Sequence, residues 1–204
     1  MKYLLFSLVL WSGLSFSQTI LVYGDSLSAA YGMNEQQGWV HLLAERLGPE
    51  FQVINASISG ETARGGLARL PLTLSRTSPD LVILELGAND GLRAQPVQQI
   101  QAHLQQMIDL ILAQSAQLLL LGIQLPPNFG SAYTQPFFAI YSDLAASNPI
   151  ELVPFMLEGV ADQPMLMQAD GLHPTAEAQT IILEHIWGYL EPMLNLPADN
   201  SLAD

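Results

Sequence analysis

The sequence predicts an α/β domain, a three-layer α/β/α sandwich built around a five-stranded parallel sheet. Short apolar runs alternate five times with longer segments in which apolar residues recur at helical spacing. The central runs are apolar almost throughout, which is typical of parallel strands covered on both faces. This alternation specifies a parallel sheet with helices on both sides, and the common doubly wound order for five strands is 2-1-3-4-5.

The predicted elements follow in chain order. The strands occupy residues 20–23, 51–55, 81–86, 118–123 and 150–153. The helices occupy about residues 37–47, 62–74, 96–114, 135–146 and 174–190. Gly48 and Pro49 stop the first helix, and Pro174 suits the first turn of the last one. There is no internal repeat and no interdomain linker, so we expect a single domain over residues 18–194 and a disordered acidic tail over 195–204.

The composition excludes several functions. The chain has 204 residues and a net charge of −13, with 6 Lys and Arg against 19 Asp and Glu. Phosphate backbones are bound by Lys and Arg, so nucleic acid is not an expected partner. The chain has no cysteine, which excludes disulfides, thiolate nucleophiles and cysteine-based zinc sites.

The N-terminus predicts export. Lys2 is the only charged residue before Asp25, residues 3–11 are mostly apolar, and Ser15 and Ser17 are small residues at the positions that a signal peptidase reads. We expect a signal peptide over residues 1–17 and a periplasmic or secreted mature protein. The alternative is a retained membrane anchor, although the apolar run is short and broken for a membrane span.

Polar residues follow four of the predicted strands. Ser26 follows the first strand, Gly60 the second and Asn89 the third, while Asp170 and His173 come after the fifth. The carboxyl ends of parallel strands meet at one edge of the sheet, where α/β proteins bind ligands. Each residue also has a structural alternative, since Asp and Ser cap helices and Asn forms turns.

Together these residues provide what acyl transfer requires. A serine hydroxyl needs a base, and His173 is the one histidine outside a predicted helix that has an aspartate beside it. Asp170, three residues earlier, can bind Nδ1 of His173 and fix its tautomer. The N–H groups of Ser26 and Gly60 and the amide of Asn89 can stabilise an oxyanion. Asp25 is expected to hold the turn that presents Ser26.

These motifs resemble those of a known family. The blocks GDSL at 24–27, Gly60, GAND at 87–90 and DGLHP at 170–174 are similar to those of the SGNH, or GDSL, hydrolases. The similarity is strongest to the bacterial periplasmic thioesterase, lysophospholipase and arylesterase subgroup. It extends over the mature chain through these segments: VYGDSLSAAYG at 22–32, LARLP at 67–71, NDGLR at 89–93, LPPNFG at 125–130 and MQADG at 167–171.

The resemblance implies a flavodoxin-like SGNH hydrolase fold, a Ser26–His173–Asp170 triad and an oxyanion hole from Ser26, Gly60 and Asn89. It implies no cofactor and no metal, and it implies hydrolysis of acyl thioesters, lysophospholipids and simple esters by a protein expected to be monomeric. It also implies a mobile loop over bound acyl chains, placed here at residues 72–79. One departure is Ala88, where the subgroup often has glycine.

Substrate class remains open between several readings. The apolar residues Leu70, Pro71 and Leu72 are predicted to contact an acyl chain, which favours a lipid-type ester over a sugar. The alternatives are a carbohydrate acetylesterase with the same triad and a catalytically inactive periplasmic lipid-binding protein. A metal-dependent phosphatase using Asp25, Asp90 and Asp170 ranks last, because phosphate chemistry normally brings more Lys and Arg.

Overall fold

One parallel sheet of five strands forms the centre of the computed structural model, which describes residues 18–194 and 196. The strands lie in the order β2-β1-β3-β4-β5, and every neighbouring pair is parallel. The predicted strand order is therefore confirmed. The strands are β1 (Gln18–Gly24), β2 (Phe51–Asn55), β3 (Leu81–Glu85), β4 (Gln117–Leu121) and β5 (Glu151–Val153).

Helices cover both faces of this sheet. The α-helices are α1 (Trp39–Leu47), α2 (Ala63–Thr77), α3 (Ala88–Leu92), α4 (Val97–Leu112), α5 (Ser131–Ser147) and α6 (Ala178–Leu190). Helices α1 and α6 contact each other, whereas α2, α4 and α5 contact one another in series. Right-handed crossovers place these two groups on opposite faces, which gives the predicted three layers.

Strands β1 and β3 form the centre of the core and set the position of the functional edge. The side chains of β3 are all buried, and Val22 of β1 lies beside Asn55 of β2 on one side and Ile83 of β3 on the other. Gly24 lies beside Glu85 at the carboxyl ends of these two strands. Whatever follows Gly24 and Glu85 in the chain therefore begins at the same edge of the sheet.

The structure differs from the sequence prediction at three elements near this edge. Helix α6 begins at Ala178 and not at Pro174, which forms an antiparallel bridge with Met167 before the helix starts. Helix α2 continues to Thr77, where Ser78 in a left-handed conformation ends it, so the expected loop over residues 72–79 is wrong. The hydroxyl groups of Thr73 and Thr77 donate to carbonyl oxygens one turn earlier in the helix. The short helix α3 was not predicted, because five residues carry no helical periodicity.

Two expectations fall on parts of the chain that the structure does not describe. The predicted signal peptide lies at residues 1–17, and the predicted disordered tail begins at residue 195. Among residues 18–194 and 196, no helix is long and apolar enough to cross a membrane.

Candidate active site

Ser26 lies in the tight turn that follows β1. The backbone carbonyl of Asp25 accepts from the N–H of Ala29, and Oδ1 of Asp25 accepts from the N–H of Leu27 at 3.1 Å. These bonds fold the chain back on itself immediately after the strand, so that the serine side chain projects from the edge of the sheet. The interpretation that Asp25 holds this turn is confirmed.

A hydrogen-bonded chain joins Ser26 to the loop before α6. The hydroxyl oxygen of Ser26 lies 2.8 Å from Nε2 of His173, and Nδ1 of His173 lies 2.7 Å from Oδ2 of Asp170. The structure thus brings together three predicted residues that span 147 positions in the sequence. A hydroxyl, an imidazole and a carboxylate connected in this way are what activation of a serine hydroxyl requires.

The carboxylate of Asp170 is stabilised in its charged form. Partial burial alone would raise its pKa, but hydrogen bonds outweigh that effect. The N–H groups of Leu172 and His173 both donate to Oδ1 of Asp170, and the ring of His173 lies against Oδ2. Together they lower the pKa of Asp170 to about 2. Asp170 therefore remains an anion beside the imidazole throughout the neutral and mildly acidic range.

Asn89 reaches the same edge from α3. The residue before this helix in sequence, Gly87, adopts φ +116°, a left-handed conformation that turns the chain sharply after β3. The amide nitrogen of Asn89 donates to Oδ2 of Asp25 at 2.9 Å. A primary amide has two N–H groups, so this bond orients the nitrogen and leaves the second N–H available for another acceptor.

Gly60 lies in the turn after β2, which is attached to the turn of Ser26. The N–H of Ile58 donates to the carbonyl oxygen of Gly24 at 3.0 Å, and Arg93 reaches the carbonyl oxygen of Gly60. Gly60 has φ +81°, and no atom lies within 4 Å of the position that a Cβ would occupy. Glycine is required here by the backbone conformation and not by crowding.

Asp90, the residue after Asn89, connects α3 to α2. Its Oδ2 accepts from the N–H of Ala63 in the first turn of α2 at 2.7 Å, and burial raises its pKa. A carboxylate at a helix N-terminus satisfies one of the free N–H groups there. The segments that carry Gly60 and Asn89 are thereby held together behind the site.

Glu85 is the functional-edge residue that the sequence analysis missed. It ends an otherwise apolar strand and is fully buried together with Asp25. Its Oε2 accepts from the N–H of Asp25 at 3.0 Å and from the hydroxyl of Ser28 at 2.9 Å. A Cβ on Gly24 would lie 2.5 Å from that oxygen, so a larger residue there would displace the Glu85 carboxyl group. The signal in the sequence that could have identified Glu85 is an acidic residue at the end of an otherwise apolar strand.

Burial changes the protonation of these two carboxyl groups. Desolvation, followed by the nearby charge of Asp25, raises the pKa of Glu85 well above its usual value. Desolvation also raises the pKa of Asp25 to about 6, although hydrogen bonds from Leu27 and Asn89 oppose the rise. At neutral pH we therefore take Glu85 as the protonated member of the pair and Asp25 as the anion that accepts from Asn89.

A cavity of about 220 Å³ opens beside the hydroxyl of Ser26. Apart from Gln124 and the site residues themselves, its walls are apolar: Leu27, Ala88, Leu92, Ile123, Leu125, Pro126, Leu157 and Leu172. A larger cavity of about 700 Å³ lies at the opposite edge of the sheet and contains none of the predicted site residues. The small apolar cavity is thus the one that adjoins Ser26, His173 and Asn89.

The predicted acyl contacts Leu70, Pro71 and Leu72 do not line this cavity. Helix α2 begins beside the site at Ala63 and runs back along the sheet at about 1.5 Å per residue, which carries these residues roughly 10 Å or more along its axis. Leu70 is fully buried in the core, whereas 56% of Leu72 is exposed. Consecutive residues on a helix face different directions, so the three cannot form one contact surface.

The metal-dependent phosphatase alternative would require Asp25, Asp90 and Asp170 to hold a metal ion. Within residues 18–194 and 196, no group of three or more His, Asp or Glu side chains is arranged to hold a metal ion. Asp25 and Asp90 instead accept from Asn89 and Ala63, and Asp170 lies against His173.

Known proteins resemble the chain along almost its whole length. It is 50% identical over 191 residues to esterase TesA of Pseudomonas aeruginosa, covering 92% of this chain and 95% of that protein. It is 41% identical over 191 residues to thioesterase 1/protease 1/lysophospholipase L1 of Escherichia coli strain K12, covering 94% of this chain and 92% of that protein. The crystal structure of TesA superposes with a TM-score of 0.84 at 51% identity, covering 87% of this chain and 100% of that one.

The model of one protein family matches residues 22–181, which contain every residue of the site described above. The resemblance seen in the motifs is therefore confirmed, and the chain belongs to the GDSL-like lipase/acylhydrolase family.

Proposed function

We propose that this protein is a serine esterase that hydrolyses carboxylic ester and thioester bonds of acyl substrates through an acyl-enzyme on Ser26. One observation carries the proposal: the unbroken chain from Ser26 Oγ through His173 to Asp170, at 2.8 and 2.7 Å, opens onto an apolar cavity. The family and the names of the relatives, esterase and thioesterase/lysophospholipase, support the same reaction class.

In the acylation step, Nε2 of His173 takes the proton of the Ser26 hydroxyl while the oxygen attacks the acyl carbonyl carbon. The carbonyl double bond opens to a tetrahedral oxyanion. When the oxyanion collapses, the bond to the leaving oxygen or sulfur breaks, and the imidazolium returns its proton to that alcohol or thiol. The acyl group is then bonded to Ser26.

In the deacylation step, His173 takes a proton from a water molecule, and the resulting nucleophile attacks the acyl-enzyme. Collapse of the second oxyanion breaks the bond to Ser26, which regains its proton from the imidazolium. The products are a carboxylic acid and a free enzyme. Asp170 stabilises the imidazolium in both steps, and its lowered pKa keeps it anionic while it does so.

The proposed oxyanion donors are the N–H groups of Ser26 and Gly60 and the side-chain amide of Asn89. The bond from Asn89 to Asp25 supports this role, because it fixes the direction of the amide before the substrate arrives. Donors that are oriented in advance stabilise a developing charge without reorganisation, which is the main source of their effect on rate.

The cavity beside Ser26 is the proposed acyl site, in place of Leu70, Pro71 and Leu72. Its leucine, isoleucine and proline walls gain from burial of methylene groups, whereas a sugar would leave hydroxyl groups there without partners. Acyl thioesters, lysophospholipids and aryl or alkyl esters all present such a chain, and these are the proposed substrates.

The protein is further proposed to act outside the cytoplasm as a monomer, after removal of residues 1–17, with no stable membrane anchor. The apolar residues 3–11 and the small residues Ser15 and Ser17 support the export proposal. A net charge of −13 supports the proposal that nucleic acid is not a partner.

The decisive test compares the purified chain that begins at Gln18 with its Ser26→Ala variant. The wild type should hydrolyse a short p-nitrophenyl ester and label on Ser26 with a fluorophosphonate, and the variant should do neither while its circular dichroism stays unchanged. Turnover by the variant would refute the nucleophile. Absence of both turnover and labelling in the folded wild type would instead indicate a binding protein.

A substrate panel then identifies the class of ester. The chain is given palmitoyl-CoA, lysophosphatidylcholine, p-nitrophenyl butyrate and acetylated xylan. Faster hydrolysis of the first three supports the acyl proposal. A clear preference for acetylated xylan would replace it with a carbohydrate acetylesterase.

A further inference from the structure

An aromatic side chain lies against the ring of His173. The centroid of the Tyr31 ring is 4.3 Å from that of the imidazole, with 35° between the ring planes. Tyr31 is 48% exposed, so packing in the core does not account for its position. We propose that Tyr31 is a positioning residue for His173 and that Gln168 holds Tyr31 in place. The inference rests on the proposed role of His173 as the general base.

The backbone around Tyr31 is bent into place. The preceding residue, Ala30, adopts φ +54°, a left-handed conformation that non-glycine residues rarely occupy. The N–H of Tyr31 faces the carbonyl oxygen of Ser26 at 3.4 Å, and that of Met33 donates to the carbonyl oxygen of Ala30. Such strained residues persist only where the surroundings hold them, and they concentrate at functional sites. Here the bend brings the tyrosine from the turn of Ser26 back to His173.

Gln168 ties the Tyr31 backbone to the loop that carries His173. Its amide nitrogen donates to the carbonyl oxygens of Tyr31 at 2.8 Å and of Pro174 at 2.9 Å, which uses both of its N–H groups. Its own backbone N–H donates to the carbonyl oxygen of His173 at 2.7 Å. A Cβ on Gly32 would overlap the Gln168 amide oxygen, so the chain beside Tyr31 fits closely around this side chain.

The contact with Tyr31 restrains the His173 ring in directions that its hydrogen bonds to Ser26 and Asp170 restrain only weakly. The bonds of His173 to Ser26 and Asp170 act at the two ring nitrogens, within the plane of the imidazole. These bonds restrain movement within the ring plane and only weakly restrain rotation of the ring out of that plane or its displacement perpendicular to it. The Tyr31 ring, which lies against the imidazole with a tilt of 35°, opposes both. The ring face also attracts a cation, so the contact strengthens when the imidazole becomes charged in the transition state. An interaction that strengthens in the transition state raises kcat.

The test uses Tyr31→Leu with Tyr31→Phe as its matched control, assayed on p-nitrophenyl acetate and p-nitrophenyl octanoate. An aromatic contact of this kind corresponds to about two- to tenfold in rate. We expect Tyr31→Leu to lower kcat by that factor on both esters, with little change in KM. Tyr31→Phe should retain the wild-type kcat, because the hydroxyl makes no hydrogen bond in the described part of the chain.

Two outcomes would overturn the positioning role. One is an unchanged kcat in Tyr31→Leu. The other is an effect confined to KM that grows with acyl length, which would make Tyr31 a wall of the substrate site. The rate of fluorophosphonate labelling per folded molecule gives a second readout, so a variant with reduced folding yield remains informative.

Gln168 is tested by a double-variant cycle. Gln168→Ala should lower kcat in the same way, and Tyr31→Leu combined with Gln168→Ala should lose less than the product of the two single effects. Effects that multiply would show that Gln168 does not act through Tyr31. Wild-type turnover and an inactive Ser26→Ala establish the proposed function separately, so the result for Tyr31 and Gln168 decides only this inference.

Discussion

Two acidic sites flank Ser26, and their environments are opposite. Asp170 lies on a loop with 39% of its side chain exposed, and N–H donors lower its pKa to about 2. Asp25 and Glu85 are fully buried at the ends of β1 and β3, and burial raises the pKa of each. The exposed acid contacts His173, whereas the buried pair contacts the turn of Ser26 and the amide of Asn89.

The difference shows how carboxyl groups can serve two purposes at one site. A carboxylate that must stay charged beside a cation is placed where water and N–H groups solvate it. A carboxyl pair that must fix backbone and amide geometry is placed where a wrong orientation would leave a buried group without a partner. The comparison predicts that changes at Asp170 affect chemistry with little effect on folding, and that changes at the buried pair affect both.

The largest effect is expected at the exposed acid. Asp170→Ala and Asp170→Asn should lower kcat by about 10⁴, because His173 loses the partner that sets its tautomer and stabilises its charge. The lowered pKa of Asp170 contributes stability at neutral pH, but solvent screens this contribution because 39% of the side chain is exposed, so the unfolding midpoint in urea should fall only modestly. Asp162→Asn, at an exposed acid outside the triad, is the control and should behave as wild type. A large loss of stability in Asp170→Asn would contradict the division of roles.

A smaller effect is expected at Asn89, whose amide is oriented by the buried Asp25. Asn89→Ala should lower kcat by about 10²–10³ with a lesser effect on KM, because an oxyanion donor acts mainly in the transition state. Steady-state kinetics on a p-nitrophenyl ester measure both constants. A kcat equal to that of the wild type would reduce Asn89 to a turn residue.

Asp25→Asn should lower kcat by about tenfold and also lower the free energy of unfolding by about 1–3 kcal/mol. An amide at position 25 has one acceptor oxygen, yet the N–H of Leu27 and the amide of Asn89 both donate to this side chain. One of the two donors must lose its partner. Urea unfolding and kcat are measured on the same sample, and a change in kcat without any change in stability would contradict the shared role.

The smallest effect on activity is expected for Glu85→Gln, which keeps an acceptor for the N–H of Asp25 and the hydroxyl of Ser28. Its effect should appear in the pH dependence of stability. Burial raises the pKa of Asp25 to about 6 and that of Glu85 well above its usual value. Above about pH 4 the folded state therefore binds more protons than the unfolded state, so the free energy of unfolding falls as the pH rises.

Removing the ionisable group at position 85 should make that decline shallower between pH 5 and pH 8. Titration of Asp170 changes the free energy of unfolding in the opposite direction. Its lowered pKa contributes stability that is lost only as the pH falls from about 4 towards 2. Asp170→Asn should therefore leave the pH 5–8 slope unchanged. Urea unfolding at four pH values measures both slopes, and equal slopes for Glu85→Gln and wild type would refute the assignment of Glu85 as a buried acid.

The sequence was sufficient for the sheet order and for bringing Ser26, Asp170 and His173 together, because strand alternation determines which edge each residue reaches. It was not sufficient for contacts that depend on packing. Nothing in the spacing shows that Glu85 lies under Gly24 or that Tyr31 reaches His173. The expected acyl contacts at 70–72 were misplaced because helix α2 carries these residues away from the site along the sheet.

The loop that carries Asp170 and His173 is attached more lightly than the sheet it serves. Its base is a single antiparallel bridge between Met167 and Pro174, supported by the Gln168 side chain. Segments with few buried contacts open locally at a lower free energy than the whole fold. On heating, catalysis should therefore fade reversibly at temperatures where the far-ultraviolet circular dichroism is still that of the folded protein, so that activity reports the opening of one loop before it reports melting.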